Sequence, residues 1–202
     1  AGMRVEGEKL SPDGRKVVFL WNAEGKMPRD LYLVMTGGGS PVKILSPNDL
    51  PAPTRPPERE NKLNYGLELR DDLAKARENQ FGGFEWSPDS SKLLFSHGGD
   101  LYVLKLDERT PKRYTRTQSP EIGARFLDND RILFSQSGNA FVLNTVDSIL
   151  VQLTKEANQQ NFISVGNITP NKAGTLIAYV VSDSSKQRQL VVPNFLPEFV
   201  TG

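Results

Sequence analysis

The sequence predicts an all-β chain of β-propeller-type blades: about four four-stranded antiparallel sheets, a partial propeller, with one helical and proline-rich insert. Three observations predict it. Apolar runs of four to six residues recur throughout, bounded by Gly, Pro, Asn and Asp, as strands and hairpins are. The stretch Phe84-Glu85-Trp86-Ser87-Pro88-Asp89-Ser90-Ser91-Lys92-Leu93-Leu94-Phe95 sets an aromatic strand end, a Ser-Pro-Asp turn and an apolar strand in sequence, and degraded copies of it flank it on both sides. The copies are almost evenly spaced.

Each element follows from local chemistry. In the first unit the turn is Ser11-Pro12-Asp13-Gly14, where proline presets φ at the second position and Gly14 can take the positive φ that closes the turn. Strand patterns follow at Lys16 to Trp21, Asp30 to Met35 and, after Gly37-Gly38-Gly39-Ser40, Pro41 to Leu45. Between Ser46 and Pro57 lie Pro47, Pro51, Pro53, Pro56 and Pro57, too many for a ladder or a helix, so an extended excursion is expected. Residues Asn61 to Gln80 lack proline; Leu69, Leu73 and Ala76 share a helical face, and Asp71 and Lys75 form an i,i+4 pair. One amphipathic helix, packed on a sheet edge, is expected there.

The second unit has Leu93 to Ser96, Gly98 to Leu104 and Lys112 to Thr115 after its turn. The third has the turn Leu127-Asp128-Asn129-Asp130, then Arg131 to Ser135, Ala140 to Leu143 and Leu150 to Thr154. The fourth has Thr169-Pro170-Asn171, then Leu176 to Val181, Gln189 to Val192 and Glu198 to Thr201. From Ser87 to Leu127 is 40 residues and from Leu127 to Thr169 is 42; the 76 from Ser11 to Ser87 shrink to 41 once the 35 residues 46–80 are set aside. A period of about 40–45 residues with four short strands per unit is that of propeller blades. Helical repeats are shorter, and an immunoglobulin-like sandwich lacks this higher period. The expected organisation is a single partial propeller over 1–202, with blades at about 1–45, 81–117, 121–155 and 163–202 and the insert at 46–80.

Composition narrows the function. The 25 Lys and Arg nearly balance 24 Asp and Glu and form no basic run, so nucleic acid is not an expected partner. Cysteine is absent, which removes disulfides and thiolate metal sites. No stretch approaches the roughly 20 apolar residues of a membrane span.

Trp86-Ser87-Pro88-Asp89 followed by Gly98-Gly99-Asp100-Leu101-Tyr102-Val103 resembles the N-terminal β-propeller of dipeptidyl peptidase IV-like serine peptidases of the prolyl oligopeptidase family. The charged insert ahead of Gly82-Gly83-Phe84-Glu85-Trp86 and the ending Val191 to Glu198 add to that likeness. TolB-type propellers carry similar repeats. The resemblance implies a noncatalytic propeller that gates and positions short peptides for a C-terminal α/β-hydrolase domain holding the triad beyond residue 202, in the periplasm or outside the cell. The alternative is a TolB-like protein-binding scaffold with no enzymatic domain. The family's propellers have seven or eight blades, so four would leave blade edges exposed, and a homo-oligomer through those edges is expected.

No residue emerges as catalytic, no cofactor or metal ligand is expected, and the sequence names no residue for substrate binding. Serine catalysis needs a nucleophile elbow and a base. No Gly-x-Ser-x-Gly occurs; Ser40 reads as part of a hairpin loop and His97, the single histidine, as a solvated turn residue. The paired glutamates with which the family's exopeptidases hold a substrate amine are not matched: no Glu-Glu occurs, Lys155 to Phe162 holds only Glu156, and Glu58 and Glu60 fall in the proline-rich insert. Asp128-Asn129-Asp130 is oxygen-rich but reads as a hairpin turn rather than a calcium loop. Phe84, Trp86, Phe95, Phe126 and Phe134 sit at repeat-equivalent positions and read as inter-blade core.

Overall fold

A computed structural model describes residues 4–51, 79–158 and 160–186. Apolar alternation and tight turns build three four-stranded antiparallel sheets and one two-stranded sheet, each in chain order. The first holds β1 (Glu6–Leu10), β2 (Lys16–Trp21), β3 (Asp30–Met35) and β4 (Val42–Leu45). The second holds β5 (Phe81–Trp86), β6 (Lys92–His97), β7 (Asp100–Lys105) and β8 (Pro111–Arg113). The third holds β9 (Ile122–Phe126), β10 (Arg131–Gln136), β11 (Asn139–Asn144) and β12 (Leu150–Gln152), and the fourth β13 (Ile163–Pro170) and β14 (Ile177–Asp183). The expected helix within 61–80 and the strands expected at 189–192 and 198–201 lie outside the described residues.

Packing follows the period of two along each strand. In β6 and β7, Leu93, Phe95, Tyr102 and Leu104 join Val18, Leu31 and Leu45 of the first sheet in one core. Leu94, Leu101 and Val103 point the other way and join Ile132, Phe134 and Leu143 of the third sheet in a second core. The central sheet is thus apolar on both faces, which is why its strands read as nearly unbroken apolar runs. Three stacked ring pairs recur at equivalent places: Phe19–Tyr32, Phe95–Tyr102 and Phe134–Phe141, with centroids 5.8, 5.5 and 5.7 Å apart. Phe84, Trp86, Phe95 and Phe134 are buried and Phe126 packs against the second core, as expected of repeat-equivalent aromatics.

The turns are alike at the level of single atoms. Ser11 Oγ accepts from Lys16 N–H and Ser87 Oγ from Lys92 N–H, each at 2.9 Å, while each hydroxyl donates to the aspartate two residues on. These bonds hold the Asp13 carboxyl down at about 2, and Asp89 is likewise lowered against the opposing effect of burial. In the fourth unit the role falls to Asn171, whose Oδ1 accepts from Thr175 and Leu176 N–H. The turn is therefore residues 171–174, not the expected Thr169-Pro170-Asn171. Thr169 and Pro170 pair with Ala178 and Ile177 at the end of β13. Asn171 supplies the side-chain acceptor that Ser11 and Ser87 supply in the first two turns, and this sets the alignment; in the third turn the acceptor is Asp128, one place after Leu127.

Successive turns are fastened to each other. Asp13 N–H donates to Ser90 Oγ at 3.0 Å, and Asp89 N–H to Asn129 Oδ1 at 3.0 Å. Lys16 Nζ reaches Ser90 O, and Lys92 Nζ reaches Asn129 O and the Asp130 carboxylate at 2.8 and 2.7 Å. Ser90 holds a left-handed φ of 62° where Gly14 takes 69°; the strain accompanies a hydroxyl that glycine could not offer. In β5, Gly82 leaves room for Ser96, whose Oγ would lie 1.9 Å from an added Cβ.

A second correction concerns the segment after β4. Ser46 caps a 3-10 turn at Pro47–Asp49 through a capping box, with Ser46, Pro47 and Leu50 buried, so the start of the insert is folded against the first core rather than extended. Proline is tolerated because it occupies a first-turn position whose N–H would lack a helical partner.

Phe95→Ala should lower the unfolding free energy by about 3–5 kcal/mol, as deletion of a fully buried ring does, and Ser87→Ala by about 1–2 kcal/mol through loss of the turn acceptor. Urea titrations of both variants measure this, and a Ser87→Ala midpoint equal to the parent's would show that the turn hydroxyl is dispensable.

Candidate functional site, a buried polar cluster at one end of the blades

Because the strands run up and down, the Ser-Pro-Asp turns and the third-to-fourth strand loops share one end of the sheets. The β6–β7 turn and the connection from one sheet to the next share the other. That second end holds a cluster of polar side chains that runs from the second sheet to the third. Asp100, at the start of β7, is fully buried and pairs with Arg113 from β8. Its Oδ1 accepts from Thr117 N–H at 3.1 Å. Arg113 Nε donates to Thr115 O at 3.0 Å, and Thr115 Oγ1 accepts from Leu101 N–H at 2.8 Å.

Thr117 links this pair to a second carboxyl. Its hydroxyl lies 2.6 Å from Glu121 Oε1, and Gln136 Nε2, at the end of β10, reaches the same oxygen at 2.8 Å. Glu121 is buried, and its other oxygen, Oε2, has no hydrogen-bond partner among the described residues. Burial is the main influence and pushes the carboxyl up; the Thr117 and Thr115 hydroxyls oppose this, and the Asp100 charge adds to it.

His97 ends β6 directly opposite Asp100, on the same face of the sheet. It is buried, not solvated as expected of a turn histidine, with Nε2 2.8 Å from Asn79 Oδ1 and its ring 6.4 and 6.1 Å from those of Phe81 and Tyr102. Burial lowers its pKa, Arg113 lowers it further and Asp100 opposes, so the ring is neutral at pH 7. Trp21 and Gln136 hold the equivalent place in the first and third sheets, each opposite the first residue of the next strand. The expectation failed because the position belongs to the strand's inward face, not to the turn.

The cluster repeats in outline. Asp30 pairs with Lys43 at 3.3 Å as Asp100 does with Arg113. Asn139 Oδ1 lies 3.1 Å from Thr154 Oγ1, which accepts from Ala140 N–H, and Gln152 Nε2 donates to Thr154 O as Arg113 Nε does to Thr115 O. An acidic or amide residue opening the third strand of each unit is visible in the sequence as Asp30-Leu31-Tyr32, Asp100-Leu101-Tyr102 and Asn139-Ala140-Phe141, and this signal was not assigned a role. Glu121 has no such signal, since it lies in a connection.

The other candidates are apart from this cluster. Ser40 is exposed in the loop between β3 and β4, a different sheet from His97, so no nucleophile–base pair forms between them. Asp128 Oδ1 accepts from Asp130 and Arg131 N–H and its Oδ2 from Arg131 Nε, the bonding of a turn. Glu156 accepts from the Tyr179 hydroxyl at 2.8 Å. Glu58 and Glu60 lie outside the described residues. Among the described residues no group of three His, Asp or Glu is arranged to hold a metal, and no helix is long and apolar enough to cross a membrane. A cleft of about 390 Å³ at the opposite end, bordered by Lys92, Lys105, Lys112, Glu108 and Tyr114, is mixed in charge.

Glu121→Gln isolates the burial effect. A raised carboxyl favours folding in its protonated form, so its contribution is present below the ordinary glutamate pKa and is lost as pH rises through the folded value. The variant should be more stable than the parent at pH 7, with the difference vanishing near pH 4; denaturant titrations at both values measure it, and an equal gain at both would assign the effect to packing.

The sequence matches no protein-family model and no curated protein. The structure is similar to several solved ones. A putative TolB from Agrobacterium tumefaciens superposes with a TM-score of 0.52 at 17% identity, over 91% of this chain and 57% of that one. An oligogalacturonate lyase in complex with manganese gives 0.58 at 11%, over 91% and 48%, and a puromycin hydrolase mutant complexed with PGG gives 0.50 at 18%, over 91% and 28%. The chain thus spans less than two thirds of each of these, and at such identities the likeness is one of fold: propeller blades.

Proposed function

We propose that this chain is the noncatalytic β-propeller portion of a prolyl oligopeptidase-family serine peptidase, gating and positioning short peptides for an α/β-hydrolase domain of the same polypeptide. The observation that carries the noncatalytic part is the separation of Ser40, exposed in the first sheet, from His97, buried and neutral in the second. The peptidase part is supported by the Trp86 to Val103 resemblance and by the likeness to 28% of the puromycin hydrolase chain. In this reading the buried Asp100–Arg113–Glu121 cluster stiffens the end of the blades that would face the hydrolase. A periplasmic or secreted location belongs to the same proposal.

A second reading, a TolB-like scaffold that binds another protein, is supported by the likeness in fold to the Agrobacterium tumefaciens TolB, 57% of which the chain covers. The coding sequence beyond Gly202 separates the two. A Gly-x-Ser-x-Gly segment followed by Asp and His is expected for the peptidase; a stop codon after further blades alone would leave the scaffold. The 202-residue chain itself should not hydrolyse dipeptidyl chromogenic substrates. Turnover that survives repurification and follows the protein peak would overturn the noncatalytic assignment.

A further inference from the structure

The fourth strand of each sheet lies at the outer edge, away from the inner strands through which neighbouring sheets meet. Such edges are open to pairing unless blunted by charge, proline or irregularity. β4 carries Lys43, and β8 is Pro111-Lys112-Arg113. β12 is different. From Ser148 to Thr154 the chain holds no charge and no proline, and Ile149, Leu150, Val151 and Leu153 are 56, 48, 49 and 39% exposed.

The direction of its main chain follows from its partner strand. Asn144 N–H donates to Ile149 O and Leu153 N–H to Ala140 O, and Val151 sits opposite Val142. Ile149 O, Leu153 N–H and the Val151–Val142 pair therefore face β11, the Ile149 N–H being held by Asp147 Oδ1, and Leu150 and Gln152 turn their main-chain groups to the open edge. Ile149, Val151 and Leu153 project from one face of the strand.

We infer that β12 pairs antiparallel with β12 of a second copy of the chain about a two-fold axis at Val151. This register sets Leu150 opposite the second copy's Gln152, so four main-chain hydrogen bonds form around the axis. Ile149 then lies beside the second copy's Leu153, and Val151 beside its own counterpart, which makes a ladder of six aliphatic side chains on one face. At both ends Asp147 meets the second copy's Lys155, and both residues are exposed. Centring the pair on Leu150 or Gln152 loses that charge match, and the complementarity is what selects a second copy over a generic extended peptide. The inference stands on the outer rim and is independent of whether a hydrolase or a protein partner completes the proposed function.

Cross-linking tests the register, because the chain has no cysteine of its own. Val151→Cys should form an intermolecular disulfide under mild oxidation, since facing residues of a non-hydrogen-bonded pair lie about 4.5 Å apart at Cα. Ile149→Cys and Leu153→Cys should not cross-link singly but should do so when mixed. Val151→Lys puts two ammonium groups at the axis and should weaken dimerisation by about tenfold or more in a sedimentation dilution series, with an unchanged circular dichroism spectrum because the residue is exposed. A parent protein that stays monomeric at every concentration, a dimer that Val151→Lys leaves intact, or cross-links formed equally at all three positions would each overturn the inference.

Discussion

The two-faced burial of β6 and β7 is the constraint on which the structure depends. Leu93, Phe95, Tyr102 and Leu104 serve the core shared with the first sheet, while Leu94, Leu101 and Val103 serve the core shared with the third. A single-residue slip of either strand would exchange these sets and uncouple both cores at once. The bulk of the register information sits in the turns, where Ser87 Oγ takes the Lys92 N–H and leaves no freedom to slide. Packing and turn chemistry point to the same alignment, which is how a sequence with weak repeats specifies one arrangement.

The polar cluster is the converse of that apolar economy. At the end where sheets are joined, the backbone must cross between blades, and its N–H and C=O groups need partners away from water. Asp100, Thr115 and Thr117 supply them, and Arg113 balances the Asp100 charge. Glu121 is only half accommodated, with one oxygen bonded twice and the other without a bond among the described residues, and burial accordingly raises its pKa. Order at this end comes from a connected network, and its weak member is a carboxyl.

Much of the fold was legible because it rests on local rules. Ser11-Pro12-Asp13-Gly14 and Ser87-Pro88-Asp89 carry their turn bonds in their own side chains, and Phe95 and Phe134 each have their stacked ring partner seven residues on, in the next strand of the same hairpin. The fourth turn was displaced because Thr169-Pro170-Asn171 imitates Ser-Pro-Asp in composition, whereas the bond-accepting oxygen belongs to Asn171. His97 looks like a turn residue beside Gly98 and Gly99, though its strand parity, shared with Trp21 and Gln136, turns it inward. Ser46 to Asp49 was read by its prolines, though the capping box needs only one serine and one aspartate. The site was the least legible part. Glu121 meets Gln136 across 15 residues, one step beyond the Ile122–Ser135 pair of β9 and β10, a contact set by the register of that pair rather than by any residue pattern.

The fastened turns also carry a direction. Asp13 donates to Ser90, and Asp89 donates to Asn129, so the first unit gives to the second and the second to the third. Such a contact is head-to-tail, the kind that extends along a series instead of closing on itself in pairs. During synthesis from the N-terminus, a sheet leaving the ribosome would have its backward face covered at once and its forward face bare until the next repeat emerged. Maturation would then trail translation by one repeat. The sheet faces still waiting for a neighbour would be confined to a single advancing front.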